Sequence, residues 1–166
     1  LFPKYKNYTD IYYQAGLLGQ KTIMAHGVYL DDVEIKIIRK TGTKIAHCPT
    51  SNRFLMSGIM PFRRYRKENL EMGLGTDVAG GYSLSMFNEM KETIENSKSL
   101  FLFSNGKSGT PMTVGEAFYL ATLGGAKVLS MENEIGSLEK GKKADFLVID
   151  HKKVDPMGAL STYQKP

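Results

Sequence analysis

Three short apolar runs constrain the fold of this chain most strongly, because each ends in a side chain that can bind a metal or transfer a proton. The runs end at His26, His47 and Asp77. Helical patterns separate them, and alternating strands and helices predict a parallel sheet in an α/β fold. The C-terminal ends of parallel strands lie at one edge, so the three side chains are expected at the same mouth.

Two interpretations of these strand ends stay open from spacing alone. His26, His47 and Asp77 on successive strands would form one wall of a metal-dependent hydrolase site. Alternatively, they are unrelated polar residues that cap the strands of an ordinary α/β domain. Gly80 and Gly81 follow Asp77 in the sequence. Glycines here would allow a sharp turn and leave space for a ligand.

The order of the elements follows from hydrophobic periodicity, capping residues and glycine or proline breaks. Asp31 is a typical N-cap, Gly42 is a typical helix stop, and Thr113 with Glu116 has capping-box spacing. The predicted elements are, in chain order, a helix over 8–15, a strand over 21–26, a helix over 31–40, a strand over 43–47, a loop over 50–58, a basic helix over 60–69, a strand over 71–76, a helix over 83–103, a helix starting at Thr113 that the pair Gly124-Gly125 ends or kinks, and a strand over 143–150.

The bulk composition excludes several classes of protein. The chain has 166 residues, of which 42% are hydrophobic and 23% charged, as in a globular protein with a core rather than a disordered or fibrous one. Its apolar runs are far shorter than the about 18 residues of a transmembrane helix. The single cysteine, Cys48, excludes an internal disulfide and fits a reducing compartment.

The net charge of +5 has its densest patch in the segment Arg63-Arg64-Tyr65-Arg66-Lys67. An aromatic residue among basic ones is compatible with nucleic-acid binding. However, Phe62 and Leu70 are available to face a core on the same predicted helix. A solvated outer helix face is therefore the favoured interpretation, and no nucleic-acid partner is expected.

The three predicted strand–helix units make an incomplete sheet. A closed parallel barrel has about eight strands, and an open part of one exposes strand edges and apolar surface. The chain also begins without Met. We therefore expect it to be part of a larger fold.

Several longer motifs resemble those of the guanine deaminases, a family within the amidohydrolase superfamily. The most specific are Gly-Leu-Gly-Thr-Asp-Val-Ala-Gly-Gly at 73–81 and Tyr-Lys-Asn-Tyr-Thr-Asp at 5–10. The Gly-Thr-Asp turn with upstream strand-end histidines is shared by many amidohydrolases. The resemblance covers nearly the whole chain and weakens only towards its end. Further matching segments are 24–27, 47–52, 121–126 and 134–142.

The resemblance implies that this chain is the C-terminal portion of a (β/α)8 TIM-type barrel. Residues 1–142 would form the partial barrel. Residues 143–166 would form the start of a return strand toward a flanking β-sandwich, followed by a tail. His151 lies in that last segment and is expected at the surface.

The resemblance also implies zinc-dependent hydrolysis of guanine to xanthine and ammonia in purine catabolism, with one Zn²⁺ per active site. Asp77 would be the zinc ligand and the general base. His26 would lie beside the metal and hydrogen-bond the hydroxide or the tetrahedral intermediate, so both residues would also contact the substrate. His47 would either line the pocket as a further substrate-binding residue or only cap its strand.

The chain departs from the family's pattern in what it lacks. It has no counterpart of the His-x-His pair, and the His-x-x-Glu element and the arginine and glutamine that hold the guanine ring would lie upstream. We therefore expect the isolated chain to be inactive, and the complete enzyme to be a cytoplasmic homodimer without membrane or nucleic-acid partners. Two alternatives stay open: a related aminohydrolase or chlorohydrolase with another substrate, and a truncated, non-catalytic interaction module.

Overall fold

The computed structural model describes residues 3–150, which form an α/β fold around a small parallel sheet. The three strands pair in the order β1-β2-β3, and both pairs are parallel. The predicted α/β class and parallel sheet are therefore confirmed. The elements are α1 (Tyr8–Gln14), β1 (Ile23–Ala25), α2 (Asp32–Thr41), β2 (Lys44–His47), α3 (Pro49–Phe54), α4 (Phe62–Lys67), β3 (Met72–Leu74), α5 (Met86–Phe103), α6 (Val114–Ala121) and α7 (Leu123–Val128).

The register of the sheet decides which side chains face the core. Ile45 of β2 pairs with Met24 of β1 and with Met72 of β3. Side chains of directly paired residues share a face, and successive residues point to opposite faces. The face with Ile45 and Met72 carries the hydrophobic core, to which α2, α4 and α6 contribute. Other core members are Leu30, Ile35, Ile38, Met60, Phe62, Tyr65, Leu70, Met112, Ala117 and Leu120.

Two helix starts follow the predicted capping chemistry. The Asp31 carboxylate accepts from the backbone N–H of Glu34 at 2.8 Å, and the Glu34 side chain accepts from the backbone N–H of Asp31 at 3.0 Å. Thr113 and Glu116 make the same reciprocal pair at the start of α6. Gly42 ends α2 with a left-handed φ of 71°. These capping predictions are confirmed.

The basic segment is the exposed side of a packed helix. Arg63 in α4 pairs with Glu116 of α6, and Arg64 pairs with Asp32 of α2 at 2.7 Å. Tyr65, the aromatic residue among them, is completely buried in the core. The aromatic side chain is thus not available to stack on a base, which agrees with the interpretation of a solvated helix face.

The last helix within residues 3–150, α7, packs on the sheet face opposite the core. Gly73 of β3 points to that face, and a Cβ added there would lie 2.9 Å from the Cα of Gly125 in α7. Lys44, at the start of β2, donates from Nζ to the carbonyl oxygen of Lys127 at 2.7 Å and to Ser130 Oγ at 2.6 Å. Carbonyls at a helix C-terminus lack helical partners and attract a cation. The ammonium group therefore fixes the end of α7 to the sheet.

The predicted break at Gly124 and Gly125 lies slightly earlier in the structure. Thr122 interrupts the helical backbone with φ −123° and ψ −100°, and α7 starts at the next residue. Both glycines lie inside α7. They allow the close approach to β3, since a Cβ on Gly124 would lie 3.1 Å from the carbonyl oxygen of Met72.

Two further predicted elements differ from the structure. The segment 50–58, predicted as a loop, contains most of α3, because Pro49 in the first turn favours a helix start. The strand predicted over 143–150 is wrong for the described residues: these positions have no regular secondary structure, and Leu147 and Val148 are exposed. A strand needs a hydrogen-bonded neighbour, and no strand within residues 3–150 pairs with this run. The division at residue 142 stays a prediction, and His151 lies outside the described residues.

The longest helix among the described residues is α5, with 18 residues capped by Ser85. Neither α5 nor any other helix between residues 3 and 150 combines the length and the apolar character that a bilayer crossing requires.

Candidate active site

His26 follows β1 directly and leaves the sheet through a left-handed backbone. Its φ is 72°, a conformation that costs a non-glycine residue about 1–2 kcal/mol. Its backbone N–H still donates to the Ala46 carbonyl of β2 at 2.8 Å. In an extended strand, the register that pairs Ala25 with Ala46 would place His26 on the same face as His47. The left-handed turn instead directs its ring toward the mouth at the C-terminal ends of the strands.

Asp77 is also left-handed, with a φ of 49°, and lies in the turn after β3. Its Oδ2 accepts a hydrogen bond of 2.6 Å from Ser51 Oγ. A Cβ on Gly80 would lie 2.9 Å from that Oδ2 and 3.0 Å from the Ser51 oxygen, so only glycine leaves room for the bond. A Cβ on Gly81 would overlap the carbonyl oxygen of Thr76. The two glycines therefore shape the turn that presents the carboxylate.

The structure brings His26 and Asp77 together. Their Nε2 and Oδ2 atoms are 3.8 Å apart, and the side chains are 43% and 39% exposed. This separation is too long for a direct hydrogen bond. A water molecule or a cation in front of the pair can contact both atoms. Strained backbone of the kind found at both residues occurs often at functional sites, so the two positive φ values agree with such a role.

Cys48 completes a cluster of three potential metal donors. A ligand atom of Cys48, one of His26 and one of Asp77 all lie within 4.8 Å of one another. Burial is the main cause that raises the pKa of the Cys48 thiol to about 11, and the charge of Asp77 adds to it. The thiol therefore keeps its proton at neutral pH in the protein alone. His26 supplies an imidazole and Asp77 a carboxylate, and both are donor groups that zinc binds.

The hydrogen bond of the His47 side chain goes to α5. Its Nε2 lies 2.9 Å from Thr93 Oγ1 of α5, and the residue is 3% exposed. Burial, and secondarily the charge of His26, lowers the pKa of His47 to about 3, so the imidazole is neutral at physiological pH. Its Nδ1 has no hydrogen-bond partner among the described residues. The two interpretations of His47, as a pocket-lining residue or as a cap of its strand, both stay predictions.

Two residues that sequence reasoning did not single out contact the site. Ser51 donates to Asp77, and Asn52 Oδ1 lies 2.8 Å from His26 Nδ1. Both belong to α3, where a loop was predicted. Pro49, the first residue of α3, was the available signal of a helix. A helix start right after β2 would have placed the following polar side chains beside the strand ends.

The chain matches the amidohydrolase family over residues 2–165. Among curated proteins it is 44% identical to guanine deaminase of Mus musculus over 155 residues, which are 93% of this chain and 34% of the mouse protein. It thus spans about a third of the length of the curated relatives that it matches.

Solved structures show the same relationship. A guanine deaminase from C. acetobutylicum with guanine bound in its active site superimposes with a TM-score of 0.83 at 35% identity, over 93% of this chain and 36% of that chain. An adenosine deaminase from Xanthomonas campestris with bound zinc superimposes with a TM-score of 0.75 at 29% identity, over 87% of this chain and 32% of that chain. The parallel sheet and this coverage agree with a C-terminal part of such an enzyme. On the match over almost its full length, this chain belongs to the amidohydrolase family.

Proposed function

We propose that this chain is the C-terminal part of a guanine deaminase, which hydrolyses guanine to xanthine and ammonia. The single observation that carries the proposal is the meeting of His26 Nε2 and Asp77 Oδ2 at 3.8 Å, at the C-terminal ends of parallel strands. This is the edge at which barrel enzymes perform their chemistry. The similarity to enzymes named guanine deaminase supports the choice of substrate.

A zinc site fits the donors that the chain supplies, but it is incomplete within it. Asp77 would hold the ion, with His26 beside it and Cys48 as packing. A catalytic zinc has about three protein ligands, so the remaining ones would come from other parts of the polypeptide. When bound, zinc supplies Lewis-acid chemistry and lowers the pKa of water toward neutrality.

Asp77 would act as the general base in this reaction. Its carboxylate would take a proton from the attacking water and return it to the departing amino group, so that one water is consumed and one ammonia released. The bond from Ser51 fixes one carboxylate oxygen during both transfers. His26 would hydrogen-bond the oxygen that adds to the ring. Exposure of both side chains to the mouth leaves them accessible to a substrate.

The activity of the complete protein tests the proposal. With guanine as substrate, xanthine absorbance and ammonia release should rise together, and adenine or an aminotriazine should be turned over far more slowly. Replacing Asp77 by Asn keeps the shape of the side chain but removes its charge, so kcat should fall about 10²–10⁴-fold. Asp32→Asn is the control, because that carboxylate is 85% exposed and pairs with Arg64 away from the site.

Retained turnover in Asp77→Asn would end the assignment of Asp77, and preferential turnover of another ring amine would replace the substrate. The isolated 166-residue chain is expected to bind zinc weakly and not to turn over guanine, because one imidazole and one carboxylate are too few ligands. Turnover with stoichiometric zinc by that chain would contradict this expectation. A cytoplasmic location, a place in purine catabolism and a homodimeric state stay predictions.

A further inference from the structure

Helix α3 lies directly beneath the candidate site, and its first turn is polar but buried. Thr50, Ser51 and Asn52 are each at most 1% exposed. Burying a polar side chain costs free energy unless it is hydrogen-bonded. The hydroxyls of Thr50 and Ser51 and the amide oxygen of Asn52 have partners, whereas Asn52 Nδ2 has none among the described residues. These partners lie on α5, after β3 and after β1, which makes α3 a junction between the site and α5.

The helix is held from the side opposite the site. The backbone N–H of Thr50 donates to the Glu89 carboxylate of α5 at 3.1 Å, and the Thr50 hydroxyl donates to the same carboxylate. Asn96 Nδ2 of α5 donates to the carbonyl oxygen of Pro49 at 3.3 Å. Glu89 is itself completely buried. Contacts with α5 therefore fix the position of α3 without any contribution from the mouth.

From this fixed helix, the next two side chains reach the two candidate catalytic residues. Ser51 Oγ is 2.6 Å from Asp77 Oδ2, and Asn52 Oδ1 is 2.8 Å from His26 Nδ1. We propose that Ser51 and Asn52 are positioning residues of the deamination: Asn52 holds His26 as its Nδ1–H tautomer, and Ser51 fixes the Asp77 carboxylate, so that Nε2 and Oδ2 face one reacting water.

The chemistry of the donor and acceptor atoms gives this pairing its consequence. The structure turns the amide oxygen of Asn52 toward Nδ1. An amide oxygen can only accept, so in this orientation the imidazole donates from Nδ1 and carries a lone pair on Nε2 when it is neutral. That lone pair then faces the Asp77 oxygen across 3.8 Å. Two acceptors facing each other at this distance favour a donor between them, such as a water molecule. In the other tautomer, Nε2 would instead offer its own proton to the carboxylate.

The expected loss of kcat rests on the proposed function, whereas the assignment of the His26 tautomer does not. The first measurement is therefore nitrogen-15 NMR of histidine-labelled complete protein at about pH 8.5, well above the usual pKa of an imidazole. The His26 signals are assigned by their loss in His26→Gln. The wild type is expected to show a protonated Nδ1.

In Asn52→Leu the new side chain has a similar size but no acceptor atom, so His26 should shift toward the Nε2–H form. In Asn52→Asp the new side chain keeps an acceptor oxygen, so His26 should keep its proton on Nδ1.

The second measurement is the kinetics of the same variants. Residues that orient an active-site side chain in this way typically contribute about 10–100-fold to activity. Asn52→Leu and Ser51→Ala should therefore lose about that much kcat with little change in the KM for guanine. Arg53→Gln is the matched control, since Arg53 follows directly in α3 but pairs with Glu92 at 2.6 Å. Its kcat and its His26 signals should equal those of the wild type.

An unchanged Nδ1–H signal in Asn52→Leu would overturn the positioning role of Asn52, and so would loss of that signal in Asn52→Asp. If Asn52→Leu does not fold, Asn52→Asp alone carries this test. For Ser51, an unaltered kcat in Ser51→Ala overturns its role. A protein that shows the tautomer change but does not turn over guanine would refute the proposed function and leave the tautomer assignment intact.

Discussion

The close contact between β3 and α7 gives a prediction that depends on backbone geometry alone. A Cβ on Gly73 would lie 2.9 Å from the Cα and 3.3 Å from the backbone nitrogen of Gly125. Carbon atoms in good contact are about 3.5–4.0 Å apart, so the strand and the helix would have to separate by about 0.6–1 Å. Neither obstacle is a side chain that can rotate away. Overpacking costs about 1–3 kcal/mol, and Gly73→Ala is expected in the upper part of this range.

A second glycine provides a control with the opposite sign. Gly115 lies in α6, and a Cβ added there meets nothing within 4 Å. Replacing a helical glycine by alanine stabilises a protein by about 0.5–1 kcal/mol, because the unfolded chain loses conformational freedom. Gly115→Ala should therefore raise the free energy of unfolding that Gly73→Ala lowers.

Urea unfolding of the wild type and both variants, followed by circular dichroism, measures these differences. The midpoint should fall for Gly73→Ala and rise for Gly115→Ala, with similar slopes. A Gly73→Ala variant within about 0.5 kcal/mol of the wild type would refute the reasoning, since surface substitutions without structural consequence lie in that range. The packing of α7 on β3 would then have to be looser than the structure shows.

Two further predictions concern pH. Burial lowers the pKa of His47 to about 3 in the folded state. Below pH about 6.5 the unfolded chain therefore binds a proton that the folded chain does not. The free energy of unfolding should then fall by about 1.4 kcal/mol for each pH unit of acidification between these two pKa values. The urea midpoint of His47→Asn should fall less than that of the wild type between pH 7 and pH 5, and equal losses would contradict the burial of a neutral imidazole. The hydrogen bonds from Arg63 lower the pKa of Glu116 to about 2, so this pair stabilises the fold above pH about 4.5 and loses its effect as the pH falls toward 2. Glu116→Gln should lower the free energy of unfolding by about 1–2 kcal/mol at pH 7, after allowance for the partial exposure of the pair, and by almost nothing near pH 2. A loss that does not depend on pH would argue against the ion pair.

The sequence predicts the parts of the structure that depend on local patterns. The carboxylate of Asp31 caps α2 wherever the helix packs, and the Thr113–Glu116 pair caps α6 in the same way. The alternation of strands and helices predicts the parallel sheet, and with it the common edge for His26 and Asp77. The caps need only neighbours in the chain, and the common edge follows from a general property of parallel sheets, so periodicity and capping residues reveal them.

The remaining parts depend on contacts between distant segments. No glycine or asparagine at position 26 signals that His26 turns out of its strand, because the left-handed backbone is held by the surrounding structure. The same register leaves His47 buried against Thr93, 46 residues away, although both histidines follow similar apolar runs. Ser51 and Asn52 looked like loop residues because their partners, Asp77 and His26, lie 26 residues away in the sequence.

The bond from Lys44 to α7 has a consequence for the order of events during synthesis. Its acceptors lie 83 and 86 residues further along the chain. At translation rates of about 5–20 residues per second, the ammonium group waits on the order of 4–17 s after it emerges before either acceptor exists. Until α7 covers this face of the sheet, the Lys44 ammonium group stays in water, and it can pair with the carboxylate of Glu71 directly before β3, from which it lies 3.6 Å in the structure. The bonds to Lys127 and Ser130 therefore form as a late step, after the three strands have had time to pair.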